Sequence, residues 1–563
     1  MSATAPVRLT GRQWWLLVVS CLGVALVIAA MAGLYTALPE IAAATGATQQ
    51  QLTWIVDGYT LTLACLVLPC GALGDRYGRR LVLVLGLVIF AASSALPLIV
   101  DSPHWLIGAR ALTGVGAALV MPATLSLLTA SFPESRRSVA VAVWAGVAGV
   151  SAVIGFLGSG LLLAHFSWVS IFLGMAIAAA LLAVAGCTVG ETVDEDRPGL
   201  DPAGALSSAA AIGLLVVGAI EAPVRGWTDP VVLGLLAGAV VAGVLFVVVE
   251  LRVAARGARP LLDVRLFAAR GFGSGTVAVG VQFLAAFGTF LLIVQFMQLF
   301  LGYSPLMSAV ALAPMVGPMI ALAAVAPWLA ERFGLRLPTV IGVGLVGVGL
   351  IGLSRLTADS GYVDLLWPLL VMSSGLGLSS PPATAAIIAN TPVADHGVAS
   401  AVNDAAREVG AALGIAVAGS VLAAGYSARI SPVLPQLPEQ AREPVGSSLA
   451  AALEVADRAG PQAAPLVDLA QAAFVHGMQN AALALGVSSV VAAVVLGAWA
   501  PGRGARASAE AGDVAEQAVA PEPHVVEEQF AGGRRVQTHL LEWLALGETF
   551  HALVEDEGQH LAV

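Results

Sequence analysis

Apolar residues fall in runs of 18–25 through the first 500 positions, broken by short stretches of proline, glycine and charge such as Asp101-Ser102-Pro103 and Pro133-Glu134-Ser135-Arg136-Arg137. A helix rising about 1.5 Å per residue needs about 20 such residues to cross the hydrocarbon core of a bilayer. The pattern predicts fourteen helices, over 14–38, 51–73, 81–100, 105–130, 139–163, 168–190, 204–221, 230–250, 274–300, 308–330, 338–356, 364–389, 399–425 and 471–499. The fold class is therefore an all-α polytopic membrane protein. An even number of spans puts both termini on one side. The first run is too long for a signal peptide and another span follows it directly, so it is read as retained.

Composition strengthens this picture and removes several functions. Of 563 residues, 58% are hydrophobic and 11% charged, against about 25% charged in a soluble chain. All 26 basic residues are arginine. Without lysine there is no P-loop of the G-x-x-x-x-G-K type and no Schiff-base chemistry, so uphill movement through this chain is not driven by a P-loop of its own. Lysine-free, Ala/Gly/Val-rich usage points to a GC-rich bacterial genome. The four cysteines lie inside apolar runs and read as packing residues. The eight histidines lack ligand spacing, and no nucleophile–base constellation is evident. No metal, cofactor or enzymatic activity is expected; the energy source would be a proton gradient. The expected partners are small amphipathic molecules, protons and the lipid bilayer, and not nucleic acid.

Arginine placement orients the spans. One set of connections carries fifteen, from Arg8 and Arg12 to Arg332 and Arg336, and the opposite set carries five, Arg225, Arg355, Arg429, Arg442 and Arg458. The first set is predicted to be cytoplasmic, with both termini inside a bacterial cell membrane. The chain divides into a cytoplasmic N-terminus (1–13), a six-helix bundle (14–190), an inserted two-helix hairpin with a basic cytoplasmic linker (191–273), a second six-helix bundle (274–500) and a cytoplasmic tail (501–563). The second bundle contains a Pro/Ala/Glu-rich external connection at 426–470. The tail reads as largely disordered, with a short amphipathic helix over 534–556.

Two features recur in register. Leu73-Gly74-Asp75-Arg76-Tyr77-Gly78-Arg79-Arg80-Leu81 after span 2 is echoed by Leu329-Ala330-Glu331-Arg332-Phe333-Gly334-Leu335-Arg336-Leu337 after span 10. Pro122-Ala123-Thr124 in span 4 returns as Pro382-Ala383-Thr384 in span 12. Two parallel halves with a hinge loop each, joined by an inserted hairpin in a 6+2+6 plan, are the build of a rocking transporter.

With these motifs in place the chain resembles the major facilitator superfamily, in particular its fourteen-helix drug:proton antiporters, over roughly residues 14–500. Gly71-Ala72-Leu73-Gly74-Asp75-Arg76-Tyr77-Gly78-Arg79-Arg80 is similar to the superfamily's signature loop. Trp54-Ile55-Val56-Asp57-Gly58-Tyr59 is similar to the span 2 segment of multidrug and quaternary-ammonium exporters, and Leu301–Leu306 and Ser400–Glu408 to segments typical of the group. The resemblance implies a secondary active transporter exporting amphipathic or cationic drugs or antibiotics in exchange for protons by alternating access. It also implies a conformational latch of Gly71, Asp75, Arg76, Gly78, Arg79 and Arg80, with Glu331, Arg332, Gly334 and Arg336 as the second copy. The sequence departs from the group where Ala30 replaces a span 1 aspartate and Phe156 replaces a proline after Gly155. A facilitator or symporter of a specific metabolite is the alternative, and a non-transporting sensor or scaffold a second one.

Ionisable residues inside apolar runs mark cavities, because a charge at mid-bilayer costs about 2.5–3.5 kcal/mol. Asp57 and Arg110 sit at similar depth and are expected to pair. Asp404 and Glu408 share a face of span 13, with Arg407 one turn from Asp404. These five are the candidates for proton and substrate coupling. Gly146, Gly149, Gly155, Gly158 and Gly160 give span 5 a small-residue packing surface. Tyr59, Gln282, Gln295 and Gln298 are candidate substrate contacts.

Overall fold

The computed structural model describes residues 10–47, 49–100, 102–192, 199 and 201–502. The predicted tail helix at 534–556 and nearly all of the tail lie outside this set. Fourteen helices are long and apolar enough to cross a membrane, and there is no strand among the described residues. They are α1 (Gly11–Ala37), α2 (Trp54–Tyr77), α3 (Arg79–Leu98), α4 (Pro103–Ser131), α5 (Arg136–His165), α6 (Val169–Cys187), α7 (Pro202–Arg225), α8 (Pro230–Ala255), α9 (Arg270–Phe300), α10 (Leu306–Phe333), α11 (Arg336–Leu353), α12 (Tyr362–Ala389), α13 (Val393–Ile430) and α14 (Ala464–Trp499).

Local chemistry sets the ends. Thr10 and Gln13 form a capping box at the start of α1, Asp201 and Asp229 cap α7 and α8 with proline next in each helix, and Ser304 caps the helix that opens α10. Caps of this kind satisfy amide groups that the first turn leaves without partners. Gly78 and Gly334 close α2 and α10 at φ of 109° and 81°, a region open to glycine and costly for other residues. The two copies of the repeated loop thus share their backbone conformation as well as their residues.

The repeat extends to packing. In the first half α1 packs on α5, α2 on α4, and α3 on α4 and α6; in the second α9 packs on α13, α10 on α12, and α11 on α12 and α14. Between the halves, α2 meets α13 and α5 meets α10, which are equivalent seams. Small residues permit the closest approaches. A Cβ on Gly414 would lie 2.1 Å from the Leu284 carbonyl oxygen and one on Gly410 2.3 Å from that of Gly280, while one on Gly155 would lie 2.5 Å from that of Ala29. Lipid offers no hydrophobic force between helices, so such close packing is a principal source of their cohesion. The inserted hairpin is uneven: α7 lies against α2 and α13, whereas α8 presents Val240, Val241 and Val244 outward.

The connection predicted over 426–470 is shorter and more ordered than expected. Helix α13 runs on to Ile430, α14 begins at Ala464, and two short helices, Glu439–Ser447 and Leu449–Ala459, lie between. Ser448 caps the second, whose Leu449, Ala452 and Ala456 form one buried face. Tyr426 on α13 donates its hydroxyl to the Val445 carbonyl at 2.8 Å. Proline and glutamate masked this amphipathic face in the composition.

Overpacking a close contact costs about 1–3 kcal/mol or more. Gly414→Val should therefore markedly lower the temperature at which the purified protein loses its monodisperse peak on size-exclusion chromatography. Gly158→Ala should leave that temperature unchanged, because a Cβ on Gly158 meets nothing within 4 Å.

Candidate functional site

Three polar arrangements lie along the boundary between the halves. The first closes one end of the bundle. Asp75, at the last turn of α2, accepts the Gly397 and Val398 amide hydrogens at 3.0 and 3.2 Å, at the N-terminus of α13. Arg79 donates Nε–H and Nη2–H to the same carboxylate at 3.0 and 2.7 Å, and Nη2 also reaches the Val393 carbonyl at 3.0 Å. A carboxylate at a helix N-terminus satisfies orphan amides and complements the helix dipole. Gly71 makes room, since a Cβ there would stand 2.6 Å from the Gly397 carbonyl oxygen. Asp75 and Arg79 are almost fully buried, and neighbouring His396 is buried with neither ring nitrogen bonded.

The remaining predicted latch residues behave differently. Arg76 stacks over Tyr77 at 5.4 Å. Arg80 pairs with Glu191 at 3.5 Å, inside its own half. In the second loop Glu331 and Arg332 are exposed, and Arg332 lies over Trp328 at 5.7 Å. Arg336 donates to the Ala500 carbonyl at 2.9 Å, beyond the end of α14 and again inside its own half. The two loops, expected to act alike, do not: Leu335 stands where the first loop has Arg79, so the second copy holds no equivalent clasp.

The second arrangement is central. Arg407 on α13 lies between the rings of Trp144 on α5 and Phe283 on α9, at 4.7 and 4.9 Å, with Nε and Nη1 unbonded. It borders a small void of about 60 Å³ shared with Gln282, Gly146, Gly149 and Met319. Both polar atoms of the Gln282 side chain are buried and unpartnered, as are Oδ2 of Asp404 and Oε2 of Glu408. The repeated Pro-Ala-Thr segments frame this region. Thr124 accepts the Trp144 indole N–H at 3.1 Å, and Thr384 donates to Asn403 at 3.0 Å, which in turn donates to Asp404 at 3.2 Å. Asp404 and Arg407 form no ion pair within 4 Å; the aromatic faces hold the guanidinium instead.

The third is a cavity of about 330 Å³ walled by both halves, by Ile220 and Pro223 of α7, and by Leu449 of the α13–α14 connection. Its polar lining includes Asp57, Tyr35, Thr60 and Gln295, and Asp57 is its one ionisable carboxyl group. Asp57 lies some 27 Å along α2 from Asp75, at about 1.5 Å per residue. It does not pair with Arg110. That arginine is buried, donates Nε–H to the Ile55 carbonyl at 3.1 Å and lies 4.2 Å over the Tyr59 ring. Tyr59, expected to be available to substrate, is buried and donates to the Val27 carbonyl at 2.8 Å. Gln298 sits in a π-helical turn at the end of α9 and does not line the cavity.

This arrangement, with two similar bundles clasped at one end around ionisable groups, finds its counterpart among known proteins. The Major Facilitator Superfamily profile matches residues 20–415. The chain belongs to the major facilitator superfamily. It is 34% identical to the multidrug efflux pump LfrA of Mycolicibacterium smegmatis, over 87% of this chain and 97% of that protein. It is 33% identical to the methyl viologen resistance protein SmvA of Salmonella typhimurium, over 87% and 98%. The human organic anion transporter MFSD10 shares the fold, with a TM-score of 0.57 at 16% identity, over 86% of this chain and all of that one.

Of the span 5 glycines, Gly155 packs on α1, Gly160 stands against Leu306, and Gly146 and Gly149 face Ala323 and Met319 across the seam. Sequence reasoning missed Gly397, Val398 and Tyr35, and the Trp144–Phe283 sandwich. The first two act through backbone amides and leave no side-chain signal. Trp144 was legible only as a large residue in a glycine-rich span.

Charge-assisted hydrogen bonds contribute about 1.5–3 kcal/mol each. Replacing Asp75 with Ala while keeping Arg79 should shift the end closed by the latch toward open by at least about tenfold. Interspin distances between labels on α2 and α13 at that end would report the shift, and an unchanged distribution would show that the contact does not hold it shut.

Proposed function

We propose that the chain is a secondary active exporter of amphipathic or cationic small molecules, driven by proton exchange through alternating access. The observation that carries this reading is the pairing of a latch at one end with a cavity containing Asp57 toward the other. By the arginine asymmetry the latch face is cytoplasmic, so the cavity lies toward the exterior and the structure corresponds to the externally directed state. Multidrug efflux and methyl viologen resistance are the named activities of relatives matched along nearly their whole length. Methyl viologen is an organic dication, and a single carboxylate in a largely apolar cavity with a few polar side chains is the feature a lipophilic cation needs.

In this scheme Asp57 exchanges a substrate cation for a proton taken from the exterior. When the halves rock, Asp404, Arg407 and Glu408 meet the opposite compartment, and the proton passes from Asp57 to Glu408, which releases it inward and leaves Asp57 a carboxylate for the next cation. Arg110 and Arg407, held over aromatic rings and not paired, are charges that can re-engage a carboxylate as the seam shifts. Gln282 and Gln295 supply hydrogen bonds to substrate from α9. The protein resides in the bacterial cell membrane with both termini cytoplasmic.

A metabolite facilitator on the same fold is favoured by one observation, the absence of a carboxylate from α1, where Ala30 is buried. Asp57 answers it by placing a carboxylate in the cavity from α2. In membrane vesicles with an imposed pH gradient, Asp57→Asn combined with Glu408→Gln should abolish proton-driven efflux of a cationic dye, with expression preserved. Collapse of the gradient in cells should raise intracellular dye to the level of the double variant. Efflux at the wild-type rate in the double variant would falsify the coupling role.

A further inference from the structure

The base of the inserted hairpin contains two carboxyl groups that the transport scheme does not use. Glu250, near the end of α8, is 1% exposed, and its Oε2 accepts the Leu262 amide hydrogen at 3.2 Å. Its Oε1 is buried and has no partner. Asp201 caps α7, its Oδ1 accepting the Gly204 amide hydrogen at 2.8 Å, while its Oδ2 is likewise buried and unpartnered. The two free oxygens converge on the same spot. A Cβ on Gly204 would lie 2.1 Å from Oε1 of Glu250 and 2.8 Å from Oδ2 of Asp201.

Among the described residues, the charged groups facing Glu250 from neighbouring elements are Asp201 at the start of α7 and Asp263 in the α8–α9 linker, both acidic. The nearby arginines are directed elsewhere: Arg252, Arg256 and Arg265 are exposed, and Arg259 pairs with Asp395 at 2.5 Å. Two adjacent carboxylates with no cation beside them among the described residues repel strongly, and a shared proton relieves the repulsion.

We infer that Glu250 and Asp201 share one proton, making the hairpin base a protonation site separate from the transport path that pins the α8–α9 linker. Asp201 remains the carboxylate, because its Oδ1 is already committed to an amide at a helix N-terminus, where negative charge is favoured. Glu250 is the acid: Oε1–H donates to Oδ2 of Asp201, and Oε2 keeps the Leu262 amide. Loss of the proton puts two negative charges side by side next to a third at Asp263 and frees the linker. The pinned linker is the segment that carries Arg259 to Asp395, two residues before Gly397 of the latch. The site therefore lies one clasp away from the contact that closes the bundle.

The test needs no transport, so it stands or falls apart from the export reading. A spin label is placed at Ala258→Cys, an exposed linker position, in the full-length Cys187→Ala protein in lipid nanodiscs. The mobile fraction of its spectrum should rise at least about fivefold from pH about 5.5 to about 8.5, the scale of a typical coupling between sites. Glu250→Gln keeps a donor toward Asp201 and should hold the label immobile at both pH values. Asp201→Asn keeps the cap, donates to Glu250 and should do the same, giving a second route should the first variant fail to fold. The proposal is overturned by a wild-type spectrum indifferent to pH, by a pH response that survives both substitutions, or by mobility that follows sodium or potassium at fixed pH, which would make the ligand a metal cation.

Discussion

The seating of one carboxylate on one helix end ties the two halves together at one end of the bundle. In hydrocarbon every backbone amide must be satisfied within the protein, so the spans behave as stiff rods and change concentrates at the contacts between them. Asp75 accepts the first amides of α13, which a helix N-terminus leaves without partners, and Arg79 holds it there. The contact is charge-assisted, buried and shared among three partners, which makes it strong while intact. It also requires close approach, which Gly71 and Gly397 permit because neither carries a side chain. Separation of the halves by a few ångströms breaks its bonds to Gly397, Val398 and Val393 together, while Asp75 and Arg79 stay paired within the first half. Such a clasp is a two-state element and not a spring.

The equivalent seam on the other side of the pseudo-twofold is built from different material. Where α2 meets α13 through a carboxylate, α5 meets α10 through Gly146 and Gly149 against Ala323 and Met319. Small residues facing a flexible thioether form a smooth contact that tolerates sliding. The duplicated loop has kept its backbone turn at Gly334 and its tie to the end of its own bundle through Arg336, while Leu335 in place of Arg79 removes the grip across the seam. One seam is clasped by a buried carboxylate and the other is not, although the two halves pack in the same pattern.

The span count, the repeat and the two-half plan were legible because lipid imposes length and apolarity on each span, and because the hinge loop is carried by contiguous residues. The candidate site was legible only in part. Asp57, Asp404, Arg407 and Glu408 stood out as charges in apolar runs, but their partners did not follow from depth or spacing. Similar depth suggested that Asp57 and Arg110 pair, yet the sequence gives no rotation of α2 against α4, and Arg110 turns to Tyr59. Spacing on one helix put Arg407 one turn from Asp404, yet the rings that hold it come from α5 and α9, far away in sequence. Amides such as those of Gly397 and Val398 carry no residue code at all. Glu250 fell at the predicted end of its span, where a charge is unremarked, and its burial depends on the linker folding back over it.

Charge balance explains why the centre can hold bare arginines. A buried guanidinium over aromatic faces gains about 2 kcal/mol or more when desolvated, which offsets most of the cost of placing one at membrane depth. Two rings flank Arg407 and one faces Arg110, so neither depends on a permanent carboxylate partner. Three acids, Asp57, Asp404 and Glu408, share the region with these two arginines and none is ion-paired with them, and Asp57 is the one that lines the larger cavity. A carboxylate in that position is neutralised by whatever enters the cavity, proton or organic cation, and cannot hold both. Competition at one group is the simplest physical form of exchange, and it requires only that the cavity face the two sides in turn.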